Sequence, residues 1–271
     1  MKITVLADNI GSGELQGEWG LSFHIEFGGK RLLLDTGGSD LFLKNASLLG
    51  IDISAVDAAV LSHAHYDHSL GMDAFFGANT SASFYVSPAA AENCYSGRRF
   101  FGRYIGMPEG VLSRHSSRII RPSGITQILP GAFIVPHSTP GLKLVGRKAR
   151  MYRRTWLLVW RADDFSHEQT LVLKDSDGLV ILNSCSHAGV DIITEEVRKA
   201  FPDQPVKAYI GGFHLFRSSG DEVRKVAAGI RDAGISELYT GHCTGDEAFL
   251  LLQQELGSSI SQFRCGMEIQ L

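Results

Sequence analysis

The strongest constraint on the fold lies in the second half of the chain, where short uninterrupted apolar runs alternate with longer stretches of helical spacing. Residues 179–182, 208–210 and 237–239 read as buried strands, and 194–200, 221–233 and 246–256 read as helices, the last one capped. Strands separated by helices run parallel, with the helices packed on the sheet face, so the predicted class is α/β in layers. Parallel strands also bring their C-terminal ends to one edge. A histidine follows each of these three strands, at His187, His214 and His242, so the alternation gathers three imidazoles along that edge.

The first half reads differently. Strands are expected at 2–6, 21–27 and 31–34, the last two joined by a Gly28-Gly29 hairpin turn. The turn Asp35-Thr36-Gly37-Gly38 follows, then Asp40 as a helix cap and a helix over 41–49 that stops at Gly50. A continuous apolar run at 58–61 predicts a buried strand, which delivers Ser62-His63-Ala64-His65-Tyr66-Asp67-His68 and then a helix over 70–76. A final strand is expected at 267–269. Between them, 88–165 has a weaker pattern, with one helical stretch at Ala89-Ala90-Ala91. It is read as a cap or insertion that shapes a substrate pocket within a single domain spanning 1–271. No repeat of fixed period is present.

Composition narrows the function classes. With 26 basic and 29 acidic residues the formal charge is −3, which disfavours nucleic acid as a partner. No apolar run reaches the ~20 residues of a bilayer span, so no membrane is expected. The cysteines Cys94, Cys185, Cys243 and Cys265 form no CxxC pair, and Met1 to Leu6 reads as a strand rather than a secretory signal; a cytoplasmic, reducing setting is expected. Oligomeric state leaves no pattern in the sequence.

Three histidines and one aspartate within six residues, after a buried strand, suit two adjacent divalent ions: imidazole nitrogen and carboxylate oxygen both bind zinc-like cations at about 2 Å. His63-Ala64-His65-Tyr66-Asp67-His68 resembles the HxHxDH signature of the metallo-β-lactamase superfamily at every signature position. The strings Leu6-Ala7-Asp8-Asn9, Glu18-Trp19-Gly20-Leu21-Ser22, Ser184-Cys185-Ser186-His187-Ala188-Gly189, Gly211-Gly212-Phe213-His214-Leu215 and Thr240-Gly241-His242-Cys243-Thr244-Gly245 resemble one branch of it, the dihydropterin-ribofuranosylaminobenzene-phosphate synthase-like proteins.

The resemblance implies a four-layer αββα sandwich and one or two divalent ions, with zinc first and manganese or iron as alternatives. His63, His65 and His187 would hold one ion, and Asp67, His68 and His242 the other. Asp67 would also orient the nucleophile, a metal-bound hydroxide. His214 is a candidate for oxyanion stabilisation or leaving-group protonation. His137 and His167 are further candidates for a third histidine on the first ion, and no bridging carboxylate is evident. Cys185 reads as a buried small residue or a bridging thiolate. Asp35 either fixes a ligand tautomer or braces its turn. Asp8, Asn9 and Glu18 resemble branch positions near the site, and an Asx turn explains the first two equally; His24 suits a structural role and His115 a solvated loop.

The arginine-rich middle, with Arg98, Arg99, Arg103, Arg114, Arg118 and Arg121 among Phe100, Phe101 and Tyr104 and a second cluster at Arg147, Lys148, Arg150, Arg153 and Arg154, reads either as solvated surface or as an anion funnel. Arg98, Arg103 and Tyr104 are its substrate-binding candidates. The expected activity is hydrolysis of an anionic, phosphorylated small molecule, an ester or phosphodiester. The alternative is a synthase or transferase acting on a phosphorylated ribosyl substrate.

Overall fold

In a computed structural model that describes residues 1–98, 101–155 and 159–271, the period-two alternation of the strands sorts their apolar side chains into three separate cores. Leu32 and Leu34 of strand Lys30–Leu34 face Val180 and Leu182 of strand Gly178–Leu182 in a central core. Leu33, between them in sequence, points the other way and packs with Phe42, Phe75 and Phe84. Leu179 and Ile181 turn outward on the opposite side to meet Ile193, Val197, Val223 and Leu252. Two sheets therefore bury one face against each other and the other against helices, which gives the expected four-layer αββα sandwich.

Each main sheet has seven strands among the described residues. In the first, Lys2–Ala7, Ser22–Phe27 and Lys30–Leu34 are antiparallel neighbours, and Lys30–Leu34, Ala58–Val60, Ser83–Tyr85 and Ile119–Ile120 run parallel. In the second, Gln169–Asp175 pairs antiparallel with Gly178–Leu182, after which Val206–Ile210, Glu237–Thr240 and Ile260–Gln262 continue in parallel. Helices Leu41–Leu48 and Met72–Ala78 cover the first sheet; Val190–Ala200, Gly220–Asp232 and Asp246–Leu256 cover the second. No helix among the described residues is long and apolar enough to cross a membrane.

Several local expectations need correction. Asp40 occupies the helix N-cap position but makes no capping hydrogen bond; its carboxylate pairs with Lys44, and Ser39 Oγ accepts the Leu41 amide instead. Ala89 to Ala91 form a turn, not a helix, because three alanines after Pro88 provide neither length nor an apolar stripe to bury. The helix expected at 70–76 breaks into Tyr66–Ser69 and Met72–Ala78 at Gly71, where a Cβ would lie 2.3 Å from the Thr36 carbonyl oxygen. That close approach seats the metal-motif turn on the turn after strand Lys30–Leu34.

The segment 88–165 divides. Ile119–Ile120 joins the first sheet, and Thr126–Leu129 and Ala132–Pro136 join the second. Cys94–Ser96, Arg103–Tyr104, Met151–Arg154 and Trp160–Ala162 form a separate four-stranded sheet, with helix Lys143–Ala149 beside it. This small sheet reaches the first motif directly: the Tyr66 amide donates to the Ile105 carbonyl at 2.9 Å, and His65 bridges to Gly106.

Candidate metal centre

Hydrogen bonds determine which ring nitrogen each histidine has free. Asp35, fully buried at the end of strand Lys30–Leu34, accepts the Ser62 amide on Oδ1 (2.6 Å) and the Ser62 hydroxyl on Oδ2 (2.6 Å). With its proton given to Asp35, the Ser62 hydroxyl can only accept from His63 Nδ1, 2.9 Å away. Asp35 Oδ2 also accepts from His68 Nδ1 at 2.8 Å. One carboxylate therefore leaves the Nε2 lone pairs of both His63 and His68 free of protons, so Asp35 combines the tautomer-fixing and turn-bracing roles.

The second sheet repeats the device. Asn9 Oδ1 accepts from His242 Nδ1 (3.0 Å), Asn9 Nδ2 donates to the His242 carbonyl (3.1 Å), and Asp8 Oδ1 accepts the His242 amide (2.9 Å). Asp8 also accepts the Ile10 amide in an Asx turn, so the turn and the site use the same two residues. Burial pushes the Asp8 carboxyl up to about 6 against these hydrogen bonds.

The free nitrogens converge. His63 Nε2, His65 Nε2, His187 Nε2 and His242 Nε2 are buried without a hydrogen-bond partner. The His63 ring lies 4.6 Å from His65, 4.2 Å from His68 and 4.9 Å from His187, and His68 lies 5.0 Å from His242. Burial, together with mutual repulsion, holds His63 and His187 well below the usual imidazole range and takes His65 down to about 3. Neutral rings with bare lone pairs are what a cation needs, whereas in an apolar interior such orphaned polar atoms are a net cost. The donor set therefore fits the divalent ions implied by the motif.

Asp67 completes the second group. Its Oδ2 is 3.4 Å from His242 Nε2 and 3.9 Å from His68 Nε2, and it accepts the Trp19 indole N–H at 2.8 Å. Burial alone would raise this carboxyl, but His68 and His242 hold it far below the carboxylate range. Burial likewise works against charging His242, yet the Asp67 carboxylate, 3.4 Å from its Nε2, raises its pKa overall. Asp35, Ser186, His214 and His242 all adopt left-handed backbone conformations, with φ between 48° and 62°. Such strain costs roughly 1–2 kcal/mol per residue and concentrates at functional strand ends.

The remaining candidates separate by their partners. His167 Nδ1 accepts the Ala64 amide (3.1 Å), which leaves the proton on Nε2, and that proton goes to Asp163 Oδ2 (3.1 Å). His167 has no lone pair to offer: it is hydrogen-bonded to Asp163 and Cys94 (3.8 Å), and of the group His65, Cys94, Asp163 and His167 only His65 keeps a ring nitrogen without a partner. His137 lies behind the site, between Glu168 (2.6 Å) and Glu196 (2.8 Å); burial opposes its charge, but the two carboxylates raise it to about 9. Glu168 also accepts the His187 amide, a supporting role that its sequence context does not signal. His214 Nδ1 is buried and unpartnered, with its ring 4.4 Å from His187. His24 is buried in its strand away from these groups, and His115, half-buried, stacks on Phe76 and binds Asp73.

Most of the arginine-rich segment is tied down. Arg118 donates to the Asn79 and Ala82 carbonyls, Arg121 to those of Ser87, Pro88 and Ala90, and Arg153 to the Ala89 carbonyl and Ser166. Arg114 pairs with Asp73. Tyr104 donates to the Met107 carbonyl (2.6 Å), so its hydroxyl is engaged within the cap sheet. Arg103 is exposed, 6.0 Å over the ring of Tyr66, the residue between His65 and Asp67. Arg98 is exposed at the tip of the same sheet, and the expectations for Arg99 and Phe100 lie outside the described residues. Trp19, not assigned a role from sequence, stands at the mouth, 42% exposed, in edge contact with Phe216.

The Metallo-beta-lactamase superfamily pattern matches residues 20–147. A curated relative from Methanocaldococcus jannaschii, 7,8-dihydropterin-6-methyl-4-(beta-D-ribofuranosyl)-aminobenzene-5'-phosphate synthase, is 25% identical over an alignment covering 100% of this chain and 96% of the relative. A solved metal-dependent hydrolase of the beta-lactamase superfamily is 28% identical, with a TM-score of 0.81 over 100% of this chain and 99% of that one. Zinc-bound PqqB from Methylobacterium extorquens shares the fold alone, at 13% identity and a TM-score of 0.59, with both chains covered completely.

Proposed function

With the metallo-β-lactamase fold as premise, we propose that this protein is a metal-dependent hydrolase acting on an anionic, phosphorylated small molecule, an ester or phosphodiester. The observation that carries this reading is the convergence of four buried, unpartnered imidazole nitrogens beside the ionised Asp67. His63, His65 and His187 would hold one divalent ion, and Asp67, His68 and His242 the other, with zinc, manganese and iron all compatible with this donor set. Ions held there would supply an activated water at neutral pH and a Lewis acid for the scissile bond.

The chain's own residues do the rest. Asp35, through Ser62 and directly, keeps the His63 and His68 lone pairs aimed inward, and Asn9 does so for His242. Trp19 donates to Asp67 Oδ2, the oxygen that faces His68 and His242, and so fixes the carboxylate that would orient the nucleophile. His214, whose buried Nδ1 has no hydrogen-bond partner, would protonate the leaving group. Arg103, exposed and 6.0 Å over the Tyr66 ring of the first motif, would meet an anionic substrate.

A second reading, a synthase or transferase using a phosphorylated ribosyl substrate, is favoured by the full-length similarity to the archaeal synthase. Metal-loaded protein offered phosphomonoesters, phosphodiesters and a phosphoribosyl donor separates the two. Release of phosphate or alcohol from the esters with water as acceptor supports hydrolysis. Consumption of the donor only when an aromatic acceptor is present supports the synthase.

A further inference from the structure

The two ligand groups lack a shared anionic ligand: both Asp35 oxygens are engaged by Ser62 and His68, Asp67 belongs to the second group, and Asp163 is held by His167. Cys185 stands in the gap. Its Sγ, a His63 ring nitrogen and a His187 ring nitrogen lie within 4.8 Å of one another, and so do Sγ, a His68 ring nitrogen and a His242 ring nitrogen. From the geometry of the two groups we propose that Cys185 is a metal-ligating thiolate shared between the two ion positions, taking the place of a bridging carboxylate.

The local structure fits a ligand better than a packing residue. Sγ lies 3.2 Å from His68 Nε2, the nitrogen that Asp35 leaves free of its proton. Sulfur and nitrogen bound to one tetrahedral zinc, at about 2.3 Å and about 2.0 Å, sit roughly 3.5 Å apart, so a small shift brings both onto one ion. The turn that presents the thiol is locked. Ser186 donates its amide to Asn183 Oδ1 (2.8 Å) and its hydroxyl to the Gly212 carbonyl (2.7 Å), and the Gly212 amide donates to the Ser184 carbonyl (2.9 Å). Cys243, the neighbouring thiol, donates to the Cys185 carbonyl at 3.8 Å and its Sγ groups with Cys185 and His214, not with the imidazoles of the two ion positions. On coordination the Cys185 thiol would give its proton to solvent, and its sulfur would add a negative charge to that of Asp67 between two cations whose other ligands are neutral imidazoles.

The proposal rests on the metal centre proposed above but not on hydrolysis, so its test uses cobalt and no substrate. The protein loaded with cobalt(II) is expected to bind two ions and to show a thiolate-to-cobalt charge-transfer absorption in the near ultraviolet. Cys185→Ser should abolish that absorption and weaken the second cobalt at least tenfold, while Cys243→Ser should keep both. Cys185→Asp, which restores a bridging carboxylate, should bind two cobalt ions without the absorption and so separates lost ligation from misfolding. Two bound cobalt ions without the absorption in the unaltered protein, or an absorption that survives Cys185→Ser, overturns the assignment while leaving the hydrolase reading intact. Failure to bind cobalt overturns both.

Discussion

The strand-end site and the cap sheet are both rich in polar side chains, yet they treat them in opposite ways. In the cap and its flanks, Arg114, Arg118, Arg121, Arg153 and Tyr104 are paired with carboxylates, carbonyls or hydroxyls. At the site, His63, His187 and His242 each keep a buried nitrogen without a partner. A fold normally satisfies its buried polar groups; His24 is unpartnered alone in its strand, whereas a cluster of unpartnered nitrogens facing one another marks where a ligand completes the structure. Charge density does not separate the regions; hydrogen-bond accounting does.

That contrast can be broken by mutation. The largest effect is expected from Asp67→Ala, which should reduce turnover of any active substrate to background and empty one ion position; kinetics and metal analysis on the same sample check it. Asp35→Asn should come next, because losing the carboxylate scrambles the tautomers of His63 and His68 together. Metal affinity should fall about 10–100-fold, measured by competition with a chelator. If affinity is unchanged, the tautomer argument fails.

In the cap, Arg118→Ala should cost about 1–2 kcal/mol in denaturant unfolding with kcat/KM unchanged, the signature of a brace. Arg103→Ala should do the reverse, raising KM several-fold at constant kcat with stability unaltered. Interchanged outcomes would dissolve the distinction between the two arginines.

The smallest effect concerns pH. The folded-state pKa of His137 is raised to about 9 from an ordinary 6.5, so the stability it contributes is complete below pH 6.5 and is lost as pH rises through 9. Melting temperature should decline across that window, and His137→Gln should flatten the slope.

Much of this was legible in one dimension. The apolar runs predicted Ala58–Val60 in the first sheet and Gly178–Leu182, Val206–Ile210 and Glu237–Thr240 in the second, because a strand buried on both faces has no room for polar residues. The short parallel strands Ser83–Tyr85, Ile119–Ile120 and Ile260–Gln262 were not predicted. The first motif was legible because four ligand-type residues are contiguous. The cap was not: strands such as Cys94–Ser96 and Arg103–Tyr104 are two or three residues long, too short for any period to register. Helix Lys143–Ala149 was missed for a related reason, since its only fully buried residue is Gly146.

Sequence by itself therefore determined the layer architecture and the supply of imidazole and carboxylate groups, since both follow from local pattern and residue type. Tertiary structure alone decided which of those groups are free. From sequence His187 is the assigned ligand and His167 a further candidate; the structure separates them, because the Ala64 amide takes the Nδ1 lone pair of His167 and Asp163 takes its proton, while His187 Nε2 meets no partner. The same holds for Cys185, whose place between two groups depends on strands far apart in sequence meeting at one edge. A lone pair is assigned by its nearest donor, and the nearest donor is a property of three-dimensional packing.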